Sequence, residues 1–173
     1  MNRKILLGVT GSIAAYKAVE LVRLFVKNGD SVQVVMTEAA TKFVTPLTFQ
    51  TLSRNPVFVD AFAPIAAWKP EHVSLAEAAD VALVAPATAN TLAKMRWGLA
   101  DNLLTETLLA TRAPVFVAPA MNTGMWEAAA TQENLAALKA RGVMVIEPGS
   151  GELACGVTGA GRMAEPEQVF RAI

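Results

Sequence analysis

Val115-Phe116-Val117-Ala118-Pro119-Ala120-Met121-Asn122-Thr123-Gly124-Met125-Trp126 is the stretch whose reading decides the fold. Its first four residues are apolar and partly β-branched, bounded by Pro114 and Pro119, and read as a buried parallel strand. The chain breaks at Pro119 and delivers Asn122, which carries two donors and an acceptor, to the strand's carboxyl end. Ligands of open α/β sheets sit beyond those ends. Asn122 is thus either a ligand contact or the cap of a helix starting near Thr123, and spacing alone leaves both open.

Working outward, Lys4 to Thr10 reads as a first strand, Gly11-Ser12 as a turn, and Ile13 to Lys27 as a helix stopped by Asn28-Gly29. Ser31 to Met36 reads as the second strand, so the opening unit is a βαβ crossover and the sheet is parallel. Thr37 to Leu52 reads as one or two short helices interrupted by Pro46. The proline-marked stretch from Asn55 to Glu71 carries a short edge strand near Val57–Val59. His72 to Ala76 leads into a short helix, and Val81 to Ala85 is a strand closed by Pro86. Helices are expected from Thr88–Thr91, over Asn102–Ala110 and from Thr131 to Ala140, with a last strand at Val143–Ile146. Residues 147–164 hold five glycines without periodicity and read as a loop or flap before a helix from Pro166. The expected fold is α/β: a doubly wound, Rossmann-like parallel sheet in a three-layer sandwich, with residues 1–173 as a single domain.

Composition narrows the function. Fifteen basic and fifteen acidic residues cancel, which argues against nucleic acid and anionic membrane as partners. A hydrophobic fraction of 53% and mean hydropathy of +0.38 call for a sheet covered on both faces and for surface hidden between subunits. No apolar run approaches the roughly 18 residues of a membrane span, so a cytoplasmic protein is expected. One cysteine and one histidine argue against a disulfide and against a His/Cys metal site.

Several strand ends carry small polar residues. Gly11-Ser12 stands where a helix N-terminus favours a phosphate, although Gly8-x-x-Gly11-x-x-Ala14 is not the dinucleotide fingerprint and a plain tight turn explains it too. Glu38 after the second strand could meet a ribose hydroxyl, which keeps a nicotinamide enzyme open; Thr37 beside it suits a flavin equally well. Thr88-Ala89-Asn90-Thr91 reads as a polar strand end or as simple capping. His72 is a structural residue or a base. Cys155, within a glycine-rich segment, reads better as a protonatable thiol on a flap than as a core residue.

In combination, Gly11-Ser12-Ile13-Ala14-Ala15-Tyr16-Lys17, His72-Val73-x-Leu75, Pro86-Ala87-Thr88-Ala89-Asn90-Thr91, Pro119-Ala120-Met121-Asn122-x-x-Met125-Trp126 and Ala154-Cys155-Gly156-x-x-Gly159-x-Gly161-Arg162-Met163 resemble the flavin-dependent cysteine decarboxylases in content and order. Within that family the motifs are most similar to those of members that act on phosphopantothenoylcysteine in coenzyme A biosynthesis. The resemblance implies FMN, with its phosphate at Gly11, Ser12 and Ile13 and with Thr37, Thr88, Ala89, Asn90, Thr91 and Ala120 lining it. It implies a small-molecule cysteinyl substrate held by Asn122, with Met125 and Arg162 beside it, His72 as base and Cys155 as acid. It also implies a homotrimer in which His72 serves a neighbouring subunit, with trimers in some members joined into dodecamers. A synthetase partner, fused or separate, belongs to the same picture. Two departures, Ala78 and Glu106, are read as bearing on subunit packing and not on chemistry.

The implied chemistry has a physical reason. A carbanion left by decarboxylating a cysteinyl carboxylate has no adjacent electron sink. Oxidising the thiol-bearing carbon to a thioaldehyde provides one, since the electrons then run onto sulfur as an ene-thiolate. A returning proton completes a redox-neutral reaction, and Cys155 is the candidate donor. Relatives that decarboxylate C-terminal peptide cysteines stop at the ene-thiol and generally lack this cysteine. A non-catalytic FMN-binding regulatory subunit is the alternative from outside enzymology.

Overall fold

The apolar runs pair as a parallel sheet. The structure, a computed structural model, describes residues 2–62, 70–152 and 158–173. Strands β1 (Lys4–Val9), β2 (Ser31–Met36), β3 (Val57–Phe58), β4 (Val81–Ala87), β5 (Val115–Pro119) and β6 (Met144–Val145) lie in the order β3-β2-β1-β4-β5-β6, all parallel. The sequence therefore progresses one way from β1 to β2 and β3, then crosses to β4 on β1's other side. The register places Leu7 beside both Val34 and Leu83, so the central strands are buried on both faces, as continuous apolar runs require. The edge strands have two residues each, which limits the unpaired backbone offered to other chains.

Helices α1 (Ala15–Lys27), α2 (Pro46–Ser53) and α8 (Pro166–Arg171) cover one face. There Leu21, Val22 and Phe25 bury against Ile5, Leu7 and Val34, and Phe25 meets Phe170 edge-on with centroids 5.3 Å apart. Helices α3 (Glu71–Ala78), α4 (Ala89–Trp97), α5 (Leu103–Ala110) and α7 (Ala129–Ala140) cover the other, around Leu6, Val84, Leu92, Leu104 and Val117. The short α6 (Thr123–Glu127) precedes α7. The expected three-layer, doubly wound α/β arrangement is the observed one.

Three local expectations are corrected. Pro86 does not close β4: the strand runs through it to Ala87, with a register shift between Val84 and Ala87 that accommodates a residue lacking an N–H. Pro86's carbonyl is used instead, accepting from Thr10. Residues 147–164 are not all loop, because Gly149–Glu152 (β7) and Thr158–Arg162 (β8) pair as an antiparallel hairpin. Small residues concealed that strand pairing, since a glycine-rich ladder has no apolar alternation to read. Finally, His72 lies inside the first turn of α3 and not before it.

Candidate functional site at the strand ends

The chain reverses its winding direction at β1, and the adjacent carboxyl ends of β1 and β4 form the crevice expected of such a switch point. Thr10 bridges them. Its buried hydroxyl donates to the Pro86 carbonyl at 2.7 Å and accepts from the Thr88 amide at 3.1 Å.

From this bridge the loop to α1 turns sharply, with the Ser12 amide donating to the Thr10 carbonyl at 2.8 Å. The Ser12 hydroxyl accepts from the Ala14 amide at 3.2 Å, and the Ser12 carbonyl accepts from the Ala15 amide at 2.9 Å. The Gly11 and Ile13 amides donate to nothing among the described residues, and the thirteen-residue α1 has no side-chain cap. Unpaired amides at a helix N-terminus form an anion cradle. Gly11 is required there by space: a Cβ would stand 2.6 Å from that of Ala39. The loop therefore lies against the 3-10 turn Glu38–Lys42, whose cap is Thr37. The Thr37 amide donates to the Val9 carbonyl at 3.0 Å, and its hydroxyl accepts from the Ala40 amide.

On the other side of the bridge, Thr88 caps α4. Its hydroxyl accepts from the Thr91 amide at 3.3 Å and lies 3.1 Å from the Thr91 hydroxyl, so the capping reading of this segment holds. Ala89 and exposed Asn90 form the first turn at the crevice margin. Next along the sheet, buried Ala120 donates its amide to the Ala87 carbonyl at 3.1 Å, tying β5's exit to β4. Asn122 caps α6, its Oδ1 accepting from the Gly124 amide at 2.8 Å. That contact fixes the side chain at the crevice edge, so capping and ligand holding are compatible. Met125 is half exposed on the same short helix.

The hairpin closes this side. The Met121 amide donates to the Gly161 carbonyl at 3.0 Å and the Thr123 hydroxyl to the Ala160 carbonyl at 2.9 Å. Gly161 has φ of +119°, and a Cβ there would collide with the Met121 carbonyl oxygen, so only glycine allows the two backbones to meet. Arg162 pairs with Glu165 at 3.1 Å. Glu165 also takes Lys17, a buried α1 cation whose Nζ donates to the Met163 carbonyl at 2.9 Å. Sequence reasoning missed the role of Lys17 in joining the cradle helix to the hairpin; a lysine on the apolar face of α1 was the available signal.

The structure thus brings Gly11, Ser12, Ile13, Thr37, Thr88, Ala89, Asn90, Thr91, Ala120, Asn122, Met125 and Arg162 to one end of the sheet. His72 takes its partner elsewhere: α3 packs on α5, and His72 Nδ1 stands 3.6 Å from Glu106 Oε2. Glu106, assigned above to packing alone, is therefore the group that faces the candidate base. Cys155 lies outside the described residues. Among the described residues no three His, Cys, Asp or Glu side chains converge on a possible metal position, and no helix is long and apolar enough to cross a membrane.

The cradle and the small polar strand ends beside it fit a phosphate-bearing ligand. A family model described as Flavoprotein matches residues 1–173. This chain belongs to the flavoprotein family. The family supports a flavin cofactor. The coenzyme A biosynthesis bifunctional protein CoaBC of Vibrio cholerae is 51% identical over 168 residues, covering 97% of this flavoprotein and 42% of the relative. The chain thus spans less than half the length of such bifunctional relatives. The probable phosphopantothenoylcysteine decarboxylase of Streptococcus mutans is 47% identical, covering 100% of this flavoprotein and 98% of the relative. Among solved structures, a cysteine-to-serine mutant of PPC decarboxylase complexed with pantothenoylaminoethenethiol superposes with a TM-score of 0.88 at 34% identity, over 99% of this chain and 96% of that one. The FMN binding protein AtHal3 gives 0.86 at 34% identity, over 99% and 95%.

Proposed function

We propose that this flavoprotein binds FMN and catalyses the redox-neutral decarboxylation of phosphopantothenoylcysteine to phosphopantetheine, a carboxy-lyase step of coenzyme A biosynthesis. The observation that carries the reading is the anion cradle at Gly11–Ile13, set beside the polar ends of β4 and β5, all three of which bear the decarboxylase motifs. A probable phosphopantothenoylcysteine decarboxylase and a PPC decarboxylase, each matched along nearly its whole length, support it, as does a bifunctional relative named for coenzyme A biosynthesis. A monophosphate terminus suits a cradle made from one loop and one helix end, and a relative named as an FMN binding protein supports FMN in particular.

When bound, the flavin supplies a two-electron acceptor for the thiol-bearing carbon and returns the pair at the end. In the proposed assignment the Gly11 and Ile13 amides and the Ser12 hydroxyl hold its phosphate, while Thr37, Thr88–Thr91 and Ala120 line its ring. Asn122, fixed by its cap, orients the substrate carboxylate and amide beside Met125. His72 accepts the thiol proton released as carbon–sulfur becomes C=S. Cys155 returns a proton to the adjacent carbon. Arg162, paired with Glu165, receives the substrate phosphate in this assignment. A homotrimer, in which His72 serves a neighbouring subunit, a cytoplasmic location and a synthetase partner complete the proposal.

Incubation with phosphopantothenoylcysteine tests it: carbon dioxide and phosphopantetheine are expected in equal amounts from a yellow protein. Ene-thiol as the sole product would replace this reading with peptide-cysteine-type oxidative decarboxylation. Bound flavin with no turnover would favour a regulatory subunit. A colourless protein that refuses added FMN would overturn the cofactor assignment.

A further inference from the structure

We propose that Glu106 is a positioning residue for His72, holding its imidazole in the Nδ1–H form so that Nε2 keeps its lone pair facing away from α5. This rests on the reading of His72 as base. Glu106 Oε2 lies 3.6 Å from Nδ1, and neither side chain is fully exposed. Bonds to catalytic groups are often long outside the reacting complex and tighten within it. Which imidazole nitrogen bears the proton is set by what the other nitrogen meets, and a carboxylate, being an acceptor only, selects N–H.

Both partners are held from below. The first turn of α5 is fixed by a reciprocal capping box, with the Thr105 amide donating to Asn102 Oδ1 at 3.1 Å and the Asn102 amide to the Thr105 hydroxyl at 3.3 Å. Glu106 follows directly on this fixed turn. His72 sits in the first turn of α3. The two helices are fastened again at their far ends, where the Thr111 hydroxyl donates to the Ala76 carbonyl at 3.1 Å. The turn that bears Glu106 and the α3–α5 contact that sets it opposite His72 are thus both fixed. Both groups come from one chain, so the pair is intact whichever subunit's flavin it serves.

His72 is the chain's single histidine, so its ring nitrogens are observed by ¹⁵N NMR without assignment. The flavin-loaded protein at a pH where the ring is neutral should show mainly the Nδ1–H form. Glu106→Ala should move the ring toward Nε2–H. It should also slow single-turnover flavin reduction by phosphopantothenoylcysteine about 10–100-fold, within the 10²–10⁴ that a positioned base contributes in full, with KM changed less than kcat. Glu106→Gln keeps an acceptor of the same shape, so it should retain the tautomer and lose less rate; Glu106→Asp should recover part of both. An unchanged tautomer in Glu106→Ala overturns the proposal. So does a changed tautomer with an unchanged rate of flavin reduction. If the alanine variant does not fold, a Glu106→Gln protein with parental rate but Nε2–H tautomer overturns it equally. A His72→Asn protein that reduces flavin at the parental rate would instead sink the base assignment, independently of the ring spectra.

Discussion

The hydroxyl of Thr10 joins the two halves of the sheet at the point where a ligand would enter, and replacing Thr10 with valine tests that join. Valine matches threonine in shape but can neither donate to the Pro86 carbonyl nor accept from the Thr88 amide, bonds of 2.7 and 3.1 Å in a side chain that is 1% exposed. Each buried group left unpaired costs about 1–3 kcal/mol. Pro86 is buried and belongs near the upper end, whereas Thr88 is only partly buried, so water can relieve part of its loss. The sum is about 3 kcal/mol. At roughly 2–4 °C per kcal/mol for a chain of this length, Tm should fall by about 6–12 °C. Thr10→Ser keeps both bonds and loses one methyl, worth about 0.8 kcal/mol. Thermal unfolding of both variants should be followed at matched, saturating flavin, because bound ligand raises Tm by mass action. A Thr10→Val protein as stable as Thr10→Ser would show that the bridge contributes nothing, and the argument for a built crevice between β1 and β4 would fail with it.

Gly161→Ala should destabilise the hairpin contact by about 1–3 kcal/mol and weaken flavin retention, because its φ of +119° and the Met121 carbonyl both exclude a Cβ. Gly149→Ala, whose Cβ would stand 3.9 Å from the nearest atom, the Arg162 carbonyl oxygen, should be near neutral by the same melting assay. Burial alone would raise the Asp30 carboxyl pKa, but hydrogen bonds from Arg3 and Asn28 outweigh it and hold it below the ordinary value. Its folded form therefore binds its proton less readily than the unfolded form. The stability it contributes is present above the unfolded pKa of about 3.9 and is lost as pH falls through the lowered folded value. Asp30→Asn should lower stability at pH 7 and flatten the acid limb of a denaturation series; an unchanged acid limb would remove Asp30 from it. Cys155→Ser should accumulate the oxidised, decarboxylated ene-thiol, detectable by mass spectrometry, and full turnover would exclude Cys155 as the proton donor.

The chain's apolar runs were enough to establish the parallel sheet, because a strand buried on both faces must be apolar along its length, as Val81–Ala85 and Val115–Ala118 are. Helix ends were legible as well: Thr88 and Asn122 both cap, since a short polar side chain beside free amides has a local reason to do so. The run of strand ends at Gly11, Thr37, Thr88 and Asn122 followed from alternation alone, because every strand of a parallel sheet points the same way. Contacts between residues far apart in the chain needed the tertiary structure. Thr10 reaching Pro86, Lys17 reaching Met163, Gly161 meeting Met121 and Glu106 facing His72 each join separate elements, and no periodicity encodes such a meeting. The glycine-rich pair β7–β8 belongs with them, since its strands are defined by their backbone pairing and carry no apolar pattern of their own. Local chemistry determined which residues could stand at the strand ends; only packing decided which of them face one another.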